Sequence, residues 1–146
     1  MSTTTAQPTD SRPATLTTVA GWFMVVTALA HSIVGIFMFA GEWPKILTGE
    51  LQWDMTVTRD FQTHLAFWFV PGSFALPTII LGLVAISRGR EGRTLPVYVA
   101  WILLADAIVG GWMVFPSGHV WGLIPITLLF IAHHRAKRLR NATALS

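Results

Sequence analysis

Apolar residues along this chain gather into four long runs, and the helix that crosses a hydrocarbon core of roughly 30 Å needs about 20 of them. The first run covers about 19–40, with His31 as its one ionisable residue. The second covers about 62–86 and holds Pro71, Gly72 and Pro77. The third, about 95–115, contains Asp106. The fourth, about 117–132, is short and relies on the flanking Trp121, His133 and His134 to reach the interfaces. Such mismatch costs only a fraction of a kcal/mol per Å. The pattern predicts an all-α fold, a polytopic membrane protein with four transmembrane helices bundled within residues 18–134.

The segments outside these runs are polar. Residues 1–17 are rich in Thr, Ser and Pro and read as a disordered tail. They are not read as a signal peptide, because the basic region is weak and the apolar run that follows is too long. Residues 135–146 form a basic tail. Residues 41–60 are the one long connection. Ile46, Leu47 and Leu51 have helical spacing there, whereas Trp53, Met55 and Val57 alternate with Asp54, Thr56 and Thr58. A short interfacial helix followed by an extended stretch is expected, serving as a lid or lying on the lipid.

Composition excludes an ordinary soluble domain. The 146 residues are 53% hydrophobic and 12% charged, against about 25% charged in soluble domains. There is no cysteine, and so no disulfide, thiolate metal site or cysteine nucleophile. Charge gives the orientation. The amino-terminal tail, the turn SRGREGRT and the carboxyl tail carry eight basic residues (Arg12, Arg88, Arg90, Arg93, Arg135, Lys137, Arg138, Arg140) against Asp10 and Glu91, a net of +6. The 41–60 loop carries Lys45 and Arg59 against Glu42, Glu50, Asp54 and Asp60, a net of −2. The positive-inside rule then places both termini and the turn in the cytoplasm of a bacterial inner membrane. Trp43, Trp53, Trp112 and Trp121 fall at the outer boundary, and Trp22 and Tyr98 at the inner one. The basic segments are read as topology signals and contacts to anionic membrane lipid, not as a nucleic-acid surface.

The candidate chemistry lies at one depth. His31 is nine residues before Ala40 and Asp106 nine before Phe115, which puts each about 13 Å below the outer surface. Pro71 lies in or close to that layer and frees the carbonyl of Phe67, while Pro125 in the fourth run frees that of Trp121. Aspartate in mid-span costs about 2.5–3.5 kcal/mol on insertion scales and normally finds a partner. His31 is the obvious candidate. The two readings are a proton-handling or ligand-binding pair, with His64, Trp68 and Trp112 lining the entrance, and a structural hydrogen bond between helices. Trp68 lies one helical turn from His64, so the two share a face.

His64 and His119, with the loop carboxylates, are weak candidates for a metal, and two histidines on separate helices suit a haem. No two histidines have the i, i+4 spacing of a helical metal site, so no cofactor is assigned. Gly35, Gly110 and Gly111 are expected to let helices approach closely or to make room for a ligand. Hydrolysis is disfavoured for want of a paired nucleophile and base, although a His–Asp pair suits an isomerase. An enzyme is therefore not the leading reading. The competing reading is a non-catalytic accessory or structural subunit, with a protein partner or a second copy of the chain.

Three resemblances bear on this. Pro116-Ser117-Gly118-His119 resembles the second motif of the type-2 phosphatidic acid phosphatases, but the family's K-x6-R-P and S-R-x5-H-x3-D motifs are missing, which removes that activity. The small multidrug exporters share four short spans but depend on a glutamate in the first, where this chain has His31. In length and span pattern the whole chain resembles the uncharacterised or DoxX-like small four-helix bacterial membrane proteins. That likeness rests on no specific motif and implies no activity.

Overall fold

A computed structural model describes residues 11–49, 61–113 and 119–144. The fold is all-α. Among the described residues there are six helices and no strands: α1 (Arg12–Met38), α2 (Trp43–Leu47), α3 (Phe61–Phe69), α4 (Ala75–Arg90), α5 (Val97–Met113) and α6 (His119–Thr143). The extended stretch expected after Leu51, the first ten residues of the tail, and the 114–118 connection carrying most of the PSGH motif lie outside the described residues.

Helix α1 starts earlier than the sequence pattern suggests, so residues 12–17, expected within a disordered tail, are helical. The reason is local hydrogen bonding. The Ser11 carbonyl accepts the Thr15 amide at 3.0 Å, and the hydroxyls of Thr15, Thr17 and Thr18 donate to the carbonyls of Ser11, Pro13 and Ala14 at 3.0–3.2 Å. Threonines that bond back to the preceding turn hide their polarity and fit a helix. Thr17 and Ala14 are buried.

The second predicted run is not one helix. Its residues divide between α3 and α4, with a break at 70–74. Proline at position 71 supplies no amide, and Ser73 caps the new helix by accepting the Ala75 amide on its hydroxyl at 3.1 Å. At the other end of α4, Gly92 takes a positive φ of 74°. The amides of Gly92 and Arg93 return to the carbonyls of Gly89 and Arg88 at 3.1 and 2.9 Å, a Schellman closure that ends the helix at the basic turn.

By contact, the chain divides into two compact units. One contains residues 1–22 and 84–146: the start of α1, the end of α4, and the pair α5 and α6, which pack along each other. Ala100, Ile126, Leu129 and Ala132 are buried there, and Trp101 meets Phe130 edge-on at 4.9 Å between ring centroids. At Gly89 the start of α1 approaches the end of α4 so closely that a Cβ would lie 2.7 Å from the Ala14 carbonyl oxygen and 2.8 Å from the Thr18 amide nitrogen.

The other unit, residues 23–83, contains the rest of α1, α2, α3 and most of α4. Met24, Val25, Ala28, Ala66 and Ala75 are buried in it. The indole N–H of Trp43 donates to the Ile36 carbonyl at 2.9 Å, which ties α2 back to the end of α1. Helix α1 alone is long and apolar enough to cross a membrane by length and composition, among the described residues. Helix α5 is apolar but shorter.

Candidate functional site

His31 sits where the α3–α4 break meets α1. In an unbroken helix the Phe67 carbonyl would accept the amide of residue 71, which proline lacks. The amide of Gly72 reaches it instead, at 2.8 Å, so the carbonyl expected to be free is occupied. The Ser73 amide turns to Val70 at 3.4 Å, and the Phe69 carbonyl is released. The His31 Nε2–H donates to that carbonyl at 2.8 Å. A carbonyl only accepts, so the proton is on Nε2, and a neutral ring keeps Nδ1 as an acceptor.

The imidazole is also held by rings. It stacks on Phe69 at 4.4 Å and 17° and meets Phe74 at 5.1 Å and 39°. Phe39 approaches Phe69 at 5.6 Å. Gly35, one turn along α1 from His31, makes this approach possible, since a Cβ there would lie 2.6 Å from the Phe69 ring and overlap Val70. The sequence pointed to His31, Gly35 and the proline break. The aromatic seat of Phe69 and Phe74 was missed, because only the fold brings them to His31.

The remaining candidates occupy different surroundings. His64 is half-buried on α3, and Trp68, one turn on, is 64% exposed. Trp68 meets Phe67 edge-on at 5.4 Å, over Gly72. These residues and His31 belong to the unit of residues 23–83, whereas Asp106, Trp112 and His119 belong to the other. Asp106 is exposed on α5, on a stripe with the exposed Ile102 and Val109. Trp112 is 88% exposed. His119 packs its ring over Gly110, so that of the two expected uses of this glycine the structure shows close packing, and a Cβ on Gly110 would overlap that ring. Among the described residues no three His, Cys, Asp or Glu side chains group as a metal site.

One polar cluster escaped the sequence reading. Glu42 Oε2 accepts from the buried Thr63 hydroxyl at 2.6 Å and from Lys45 Nζ at 3.0 Å, joining α2 to α3. No periodicity signals a contact between residues so far apart in sequence.

Residues 15–137 match the family described as a family of unknown function, DUF6463. The chain belongs to that family. It has no match among curated proteins and none among solved structures. The stretch matched to DUF6463 holds His31, His64, Asp106 and His119 together with the break at Pro71. It also holds His133 on α6, where burial pushes the imidazole below the ordinary value of 6.5, helped by the positive charges of His134, Arg140 and Lys137.

Proposed function

We propose that this chain is a multi-pass protein of the bacterial cytoplasmic membrane, and that it binds a small ligand or handles protons through His31 and Asp106. The four spans are α1, the broken pair α3–α4, α5 and the first part of α6, with both termini on the cytoplasmic side. The observation that carries the membrane reading is an inverted distribution of side-chain size. The buried residues are mostly small: Ala20, Ala28, Ala66, Ala85, Ala100 and Ala132 are at most 1% exposed. Many large apolar side chains face outward, among them Phe37 at 77%, Ile80 at 63% and Ile102 at 64%. Water opposes such a surface and lipid does not, while small residues at helix contacts are what membrane packing selects.

His31 supports the functional part. Its Nε2–H is committed to the Phe69 carbonyl. Protonation at Nδ1 would then give an imidazolium already facing a carbonyl dipole, so the ring can exchange a proton or donate to a ligand without leaving its seat. Asp106, exposed on an apolar stripe, carries the cost of a mid-span carboxylate unless it takes up a proton, a ligand or a partner. That same exposure favours the second reading, an accessory or structural subunit whose partner meets Asp106.

Native mass spectrometry of the protein released gently from its own membranes tests this, with His31→Ala and Asp106→Ala beside wild type. The expected result is a non-lipid adduct on wild type that both variants lose while remaining folded. A bare wild-type protein, or one that leaves the membrane only with another polypeptide, would overturn the ligand site in favour of the subunit reading.

A further inference from the structure

An open surface groove of about 450 Å³ lies along α6, and the described residues that line it are Thr127, Phe130, Ile131, His134, Arg135 and Arg138. Its two ends differ in chemistry. At one end Thr127 has spent its hydroxyl on the Leu123 carbonyl at 2.8 Å, and Phe130 is held edge-on by Trp101, which leaves an apolar floor. At the other end Arg135 and Arg138 form no hydrogen bond or ion pair with the described residues, and His134 stands beside them. Eleven residues of helix separate the ends, about 16 Å at 1.5 Å per residue. The groove is therefore apolar at one end and cationic at the other.

We infer that this groove is a binding site for an anionic phospholipid of the cytoplasmic leaflet. The phosphate lies between Arg135 and Arg138, with His134 as a further donor, and one acyl chain lies along Ile131 and Phe130. Arginine suits this role because its planar fork of donors matches phosphate oxygens. The neighbouring Lys137 and Arg140 do not line the groove and instead act on His133. The assignment thus concerns one face of α6, beyond the general attraction of a basic tail to an acidic membrane. It rests on the membrane reading above.

The test uses the full chain in detergent micelles containing equal amounts of phosphatidylglycerol and phosphatidylcholine, with bound lipid read by native mass spectrometry. Wild type is expected to retain phosphatidylglycerol selectively. Arg135→Gln with Arg138→Gln should lower that retention about twenty-five-fold, roughly fivefold per arginine. Lys137→Gln with Arg140→Gln, which removes the same charge from the same helix, should leave most of it. Equal loss in the two double variants would overturn the site, as would equal retention of the two lipids. Displacement by millimolar inorganic phosphate would also overturn it, by showing an anion site that does not need the lipid. Release of the protein from membranes by alkaline carbonate would end the membrane reading and the groove together, whereas a membrane-retained protein without lipid selectivity ends the groove alone.

Discussion

A histidine inside an apolar helix needs a partner, and the partner of His31 is the Phe69 backbone carbonyl at the end of α3, released where the chain breaks at Pro71. The proline and the histidine are both visible in the sequence. Which carbonyl is released is not, because it depends on Gly72 reaching back to Phe67 and on α1 passing beside the break. Asp106 shows the same limit from the other side, since its place in an apolar run could be read directly but not its exposure on α5. At the carboxyl end, His133 should titrate below an ordinary histidine. A lowered value means that the folded chain favours the neutral ring, so this contribution to stability is complete above pH 6.5 and is lost as pH falls from there through the folded value. Histidine-resolved NMR titration should place the His133 midpoint below 6.5 and show it rising only part of the way in Lys137→Gln with Arg140→Gln, because burial is the larger cause. A midpoint unchanged by that double variant would contradict the part assigned to the neighbouring cations.

At the scale of elements, glycine governs how closely the helices approach. Gly89 has backbone of α1 against the position its Cβ would take, whereas Gly111 has nothing within 4 Å of that position. Gly89→Ala must push the two helices apart, at a cost of about 1–3 kcal/mol. Gly111→Ala gains up to about 1 kcal/mol of helix propensity and loses no contact. Thermal unfolding in detergent should therefore show a clear fall in midpoint for the first and none for the second; an unchanged Gly89→Ala protein would contradict the close approach. The sequence made Gly35 and Gly110 stand out within apolar runs, but not Gly89, which lies in the basic turn segment where no packing is expected. Element boundaries were only partly legible: Pro71 and Gly92 stand out as punctuation, but the run around Pro71 reads as one span that the structure divides, α4 continues to Arg90 into the expected turn, and the threonine-rich start of α1 reads as tail because its side chains hide their polarity.

For the whole molecule, the account depends on what surrounds it. The apolar content and the charge asymmetry were legible in the sequence, whereas the burial of alanines and the exposure of many large apolar side chains emerged only with the fold. The absence of native cysteine makes topology directly measurable, since any introduced thiol is the only one. The decisive measurement is labelling of Gly41→Cys, Ser11→Cys, Arg90→Cys and Ala144→Cys by a membrane-impermeant maleimide, in intact cells and after the cells are opened. All four positions are exposed, and Gly41 has open space around its Cβ position. Labelling of Gly41→Cys alone in intact cells, with the other three reacting only after the cells are opened, is the predicted result. Reaction of Ser11→Cys, Arg90→Cys or Ala144→Cys from outside, or protection of Gly41→Cys, would contradict it.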